Sequence, residues 1–275
     1  MSFKDCVAYN SKAIHQLRAG ECLEAIESIK QAFMALQPLF KQPVVPDIHM
    51  DDGGEDNGPS CDASARQSPT KDITNQGQQQ PQQTSFSPYP LYPPPRMYYS
   101  VPIMEDDMVQ ASPLFSSDNN VFAFYPRMFE ISETDGHKFG LSKAFVLLVY
   151  NFAMAHHVHG SYHHLANEEA TATRQARLVA LLQMYQSVIV AARGTLSPEE
   201  IGEMLCVIVA SANNSGHLHG FLQDFQEVRN SLALQMDLLK LSYGPCSLPP
   251  VDFALLFSSI FVFLEGPGLS IPPAA

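Results

Sequence analysis

The chain has 275 residues, 45% of them hydrophobic, with a formal net charge of −12 and only 16 Lys and Arg. That length suits one sizeable domain with accessory segments, or two small domains, and the apolar fraction is ordinary for a packed core. The acidic balance argues against nucleic acid, whose phosphates need a basic surface, and against anionic membranes, which attract basic segments.

Residues 4 to 40 read as a helical hairpin. Ile26, Ile29, Phe33 and Leu36 recur at steps of three and four, one face of a 3.6-residue helix. Gly20 supplies the permissive backbone that ends the first helix. From about 43 to 94 the composition turns to DDGGEDNGPSCD, NQGQQQPQQTS and SPYPLYPPP. So few apolar side chains cannot offset the entropy of ordering, which predicts a disordered linker with a stiff, extended Pro-rich end. Pro90-Leu91-Tyr92-Pro93 formally fits a PxxP ligand, with Arg96 the only basic residue close by.

Residues 97 to 104 (MYYSVPIM) and 121 to 125 (VFAFY) are rich in β-formers and predict two short strands that could pair as a ribbon leaning on the helices. Beyond them, Leu178, Leu181, Leu182, Tyr185, Val188, Ile189 and Ala192 form an amphipathic helical stripe. Ser197-Pro198-Glu199-Glu200 predicts a capped helix start, continued by Ile201, Met204, Leu205, Ile208 and Ala212. A last long helix places Phe225, Val228, Leu232, Met236 and Leu239 on one face and stops at Gly244-Pro245. Residues 251 to 264 (VDFALLFSSIFVFL) fall short of the roughly 20 residues a membrane-crossing helix needs and read as a buried cap.

Small residues recur across these hairpins. Counted from Cys6, Ala13, Gly20, Ala25 and Ala32 occupy positions 8, 15, 20 and 27. Counted from Val146, Phe152, Ala153, His156 and Gly160 occupy 7, 8, 11 and 15, with Ala180 and Ser187 as the small pair of a later partner helix. Counted from Val209, Ser215 and Gly216 occupy 7 and 8. This spacing resembles the tetratricopeptide repeat, in which small residues let two helices approach closely. The resemblance implies antiparallel hairpins stacked as a superhelix, whose first helices line a groove for extended peptides. It assigns partner contact to Asn151 and Asn214, both at position 6 of their units, where family members that clamp a peptide place an asparagine. Leu147 and Ala210 stand where that clamp would carry basic residues. An amide can donate and accept along a bound backbone; the alternative is that these asparagines bond neighbouring helices or water.

Catalytic signatures are absent: no GxSxG elbow, no GxxxxGK[ST] loop and no GxGxxG after a strand. Glu105-Asp106-Asp107 reads as a solvated turn. His156, His157, His159, His163 and His164 are the one dense group of metal-ligand types, with His156 and His159 on a shared helix face and Glu168 and Glu169 following. A solvated helix end is the other reading. Cys6, Cys22, Cys61, Cys206 and Cys246 show no paired short spacing, so reduced thiols are expected, and Cys206, between Leu205 and Val207, is expected to be buried and inert. The opening MSFKDCVAYNSKAIHQL lacks an apolar run, so no secretory signal is expected.

The expected protein is mostly α, with a TPR-like stack, a small β-ribbon and a long disordered insertion. Its expected parts are a hairpin over 1–42, a linker over 43–94, a ribbon over 95–132, a TPR-like region over 139–244 and a cap and tail over 245–275. The expected function is a non-enzymatic scaffold or adaptor, intracellular (cytoplasmic or nuclear), needing no cofactor and taking a protein or peptide partner, with neither nucleic acid nor membrane. The alternative is a metal-binding protein or metal-dependent enzyme built on the His156–His164 cluster.

Overall fold

Two helix starts are built by reciprocal capping boxes. Ser2 Oγ accepts the Asp5 N–H while the Asp5 carboxylate accepts the Ser2 N–H. Ser197 and Glu200 do the same, with Pro198 at the first helical position. The computed structural model describes residues 2–40, 98–104, 121–132, 140–166, 171–242 and 248–265, all within one compact unit.

Among the described residues the chain is mostly helical. Its elements are α1 (Phe3–Arg18), α2 (Cys22–Phe40), β1 (Tyr98–Pro102), β2 (Arg127–Ile131), α3 (Leu141–Ala166), α4 (Thr171–Thr195), α5 (Pro198–Glu203), α6 (Leu205–Phe221), α7 (Phe225–Ser242) and α8 (Pro250–Glu265). Successive long helices pack on one another: α1 on α2, α2 on α3, α3 on α4, α4 on α6, α6 on α7 and α7 on α8. Short joints make antiparallel neighbours. At the first joint Gly20 adopts φ +81, a conformation that side chains with a Cβ rarely take.

Ala13, Ala25 and Ala32 are fully buried, as close approach of α1 and α2 requires. The α4 stripe is buried as the periodicity predicts, with Ile189 partly so. The strands pair antiparallel, Ser100 opposite Phe129, and β2 lies against α1 and α3. No described helix is long and apolar enough to cross a membrane.

Several expectations are corrected. The second strand is Arg127–Ile131 rather than 121–125; the backbone of Ala123 and Tyr125 is bonded by the helix side chains Asn213 and Asn214. The helix starting at Pro198 ends at Glu203, and α6 begins after Met204. Tyr98 Oη donates to the Glu203 carbonyl at 2.8 Å, so a tertiary contact takes the acceptor that a continuing helix would use. On α7, Phe225 and Met236 face outward. Gln235 is buried in their stead, bonded to Asn213, to the Leu256 carbonyl and to Ser259. Ala180 and Ser187, the expected small pair, are exposed, and Ser187 Oγ bonds the Gln183 carbonyl of its own helix. The α8 cap buries Leu256, Phe257 and Ile260 but exposes Val251 and Leu255.

The linker over 43–94 with its PxxP segment, Cys61, the run Glu105-Asp106-Asp107, Glu168, Glu169, the stop at Gly244-Pro245, and Cys246 lie outside the described residues.

Candidate functional site

The segment 121–131, a bend at 121–122 leading into β2, lies against α1, α3 and α6, and side chains from those helices bond its backbone. Asn151 on α3 accepts the Phe129 N–H at 2.9 Å and donates to the Phe129 carbonyl at 2.7 Å. Asn10 on α1 donates to the same carbonyl at 3.0 Å and accepts from Asn151 at 2.7 Å. Asn214 on α6 repeats the arrangement one step along, accepting the Tyr125 N–H at 3.0 Å and donating to the Tyr125 carbonyl at 3.4 Å. Asn213 donates to the Ala123 carbonyl at 2.7 Å. His217 Nδ1 lies 2.8 Å from the Phe122 carbonyl, and Tyr150 Oη donates to the Arg127 carbonyl at 3.1 Å.

The register explains this spacing. In an antiparallel pair, every second residue turns its N–H and C=O away from its partner strand. On the helix side of β2 and the residues just before it those groups fall at Tyr125, Arg127 and Phe129; each meets a side chain of α3 or α6 except the Arg127 N–H, which donates to the Tyr125 carbonyl at 3.1 Å. A side-chain amide is the same chemical group as a peptide bond, so the asparagines stand where a third strand would. Left unmet, buried backbone groups would cost about 1–3 kcal/mol each.

The segment's own side chains are also enclosed. Phe122, Phe124, Tyr125, Met128, Phe129 and Ile131 are all buried. The Phe122 ring sits over Gly216, where a Cβ would come within 2.5 Å of it. The small residue expected to ease helix contact thus receives a ring of the segment. Phe124 lies 4.5 Å from the His157 ring centroid and 5.7 Å from that of His217. Tyr125 Oη donates to Asp252 on α8 at 2.8 Å. Asp252 also takes Ser100 Oγ at 2.8 Å and an ion pair from Arg127 at 3.3 Å, so α8 clasps both strands. Burial raises the pKa of the Tyr125, Tyr150 and Tyr185 phenols, which therefore remain proton donors.

Asn151 and Asn214 are both fully buried, and each is occupied by backbone of its own chain, at Phe129 and Tyr125. Sequence reasoning missed Asn10, Asn213, His217, Gln235 and Asp252 as members of the network. A signal existed, since Asn10 occupies position 5 of the first unit, one place from the position 6 of Asn151 and Asn214. Asparagine is also a poor residue for a helix interior, so its presence inside Val149–Phe152 and Ala212–Ser215 calls for a tertiary partner.

The histidines of α3 divide. His157 is buried with its Nδ1 3.2 Å from Tyr185 Oη. His156 is partly exposed, its ring 4.5 Å from that of Phe152. Burial, and then the neighbouring His159, lower the His156 pKa. The side chains of His163 and His164 lie outside the described residues. Among the described residues, no group of three or more His, Cys, Asp or Glu could hold a metal ion. Cys6, Cys22 and Cys206 are buried as thiols, outside any disulfide.

No protein-family model, curated protein or solved structure matches this chain.

Proposed function

We propose that this chain is a non-enzymatic, tetratricopeptide-like interaction scaffold that holds an extended protein segment in the groove between α1, α3 and α6. One observation carries the reading: Asn151 and Asn214 each grip both backbone groups of one residue in an extended segment, at Phe129 and Tyr125. Amides aimed at backbone hold an extended chain whatever its side chains, which is the chemistry a peptide groove needs. The chain's own residues 121–131 stand there, so a partner segment using these amides replaces them. Successive packing of the hairpins and the buried Ala13, Ala25 and Ala32 support the kinship. Buried reduced thiols support an intracellular setting, cytoplasmic or nuclear.

The test uses the full chain as bait, with captured proteins identified by mass spectrometry, against Asn151→Ala and Asn214→Ala checked for helix content by circular dichroism. Both variants are expected to lose what the wild type captures. Folded variants that capture the same set overturn the reading. Where a variant loses its helices, hydrogen exchange on the wild type decides: a groove partner speeds exchange over 121–131, and unchanged exchange rejects the site.

A further inference from the structure

We propose that the groove selects its partner by side chain as well as by backbone: the segment it takes carries two phenylalanines separated by one residue, then a tyrosine and, two places further on, an arginine. That is the order Phe122, Phe124, Tyr125, Arg127 of the segment already seated there. The inference rests on the scaffold reading and names the partner's chemistry within it.

Backbone bonds alone carry no sequence information, since every residue but proline offers the same N–H and C=O. Where a segment is held by its main chain, the seats for its side chains decide which sequence fits. Four seats surround 122–127.

The first is over α6. A Cβ at Gly216 would lie 2.5 Å from Cε2 of Phe122 and within 2.7 Å of two further atoms of that ring. Glycine weakens a helix interior, and here the absent methyl group is what admits the ring. The second lies between two helices. The Phe124 ring meets that of His157 on α3 edge to face at 4.5 Å and that of His217 on α6 at 5.7 Å, contacts that an aliphatic side chain would not reproduce. Ala123, between the two buried phenylalanines, is exposed, which leaves its position open to other residues.

The third and fourth seats share one carboxylate. Asp252 on α8, 2% exposed, accepts from Tyr125 Oη at 2.8 Å and pairs with Arg127 Nε at 3.3 Å. A carboxylate can only accept, so a hydroxyl hydrogen and a cation suit it together. Phenylalanine in place of the tyrosine would leave one of its bonds unmade, and glutamate in place of the arginine would set like charge against it. The seats belong to three helices, so packing assembles a preference that none of them carries alone. The chain's own segment, tethered at both ends, competes at an effective concentration of about millimolar, so a free segment must match its side chains to displace it.

The test uses a fluorescent synthetic peptide with the sequence of residues 121–131 and the full chain carrying Phe122→Ala and Phe124→Ala, whose own segment no longer fills the two ring seats. Anisotropy is expected to show the peptide binding this variant more tightly than it binds the wild type. Peptides with alanine for either phenylalanine, or glutamate for the arginine, are expected to bind about tenfold or more weakly, as truncating a side chain seated in a desolvated pocket does. A scrambled peptide of the same composition is expected not to bind. Equal binding of the true, substituted and scrambled peptides overturns the preference while leaving the sequence-blind grip of Asn151 and Asn214 standing. No binding by any peptide overturns both the preference and the exchange of segments behind the scaffold reading. If the double variant fails to fold, hydrogen exchange over 121–127 of the wild type decides: excess peptide is expected to speed it and the scrambled peptide to leave it unchanged, and the same exchange with either one rejects the preference.

Discussion

Asn151 holds Phe129 by both of its backbone groups, and the Phe129 carbonyl takes a second hydrogen bond from Asn10. Replacing Asn151 with Ala therefore strips the Phe129 N–H and Asn10 Oδ1 of their Asn151 partner but leaves the carbonyl one donor. At about 1–3 kcal/mol for each buried group so stripped, the expected loss of stability is seen as a lower urea midpoint with unchanged slope. Asn151→Asp should be worse than Ala at neutral pH, because a carboxylate would face the Phe129 carbonyl and Asn10 Oδ1, both acceptors.

Gly216→Ala sets two effects against each other. Helix propensity favours alanine by about 1 kcal/mol, but its Cβ would lie 2.5 Å from the buried Phe122 ring, and overpacking costs about 1–3 kcal/mol. The steric effect should win, giving net destabilisation that Phe122→Leu partly relieves in a double-mutant cycle. Gly194, where an added methyl group would meet nothing within 4 Å, is the control: alanine there should stabilise by about 0.5–1 kcal/mol.

Asp252→Ala would leave Tyr125 Oη, Ser100 Oγ and Arg127 without their shared carboxylate. Removing one partner of a buried pair costs about 3–5 kcal/mol, and partial exposure of Arg127 lowers that to about 3. Calorimetry should show a depressed melting temperature, and Asp252→Asn, which keeps an acceptor, should fall between it and the wild type.

The Cys6 thiol is wholly buried and burial pushes its pKa up to about 12, so almost no thiolate forms at pH 8. Iodoacetamide at pH 8 is expected to leave Cys6 unmodified in the folded chain, its labelling rising only with urea-induced unfolding, as read by peptide mass spectrometry. Rapid alkylation without denaturant would contradict the packing of α1 on α2.

Where local chemistry decides, the residues are readable in order. Ser197-Pro198-Glu199-Glu200 marks a helix start because every capping partner lies within three residues. Gly20 marks a turn because its φ of +81 suits few other residues. The α7 face is not readable in this way: Gln235 looks solvated by type, yet its partners Asn213 and Leu256 lie 22 and 21 residues away. The second strand falls six residues later than β-propensity places it for a related reason. Phe124 and Tyr125 have β-forming side chains, but the groups bonding the backbone around them belong to α6.

Helices, their caps and the close packing of the first hairpin can thus be read from residue order alone, because interactions within a few residues, or side-chain volume, set them. The roles of Asn151 and Asn214 come from the folded chain and from nothing nearer. Their partners, Phe129 and Tyr125, are 22 and 89 residues distant, and an amide's hydrogen-bonding capacity says that it needs a donor and an acceptor without saying whose.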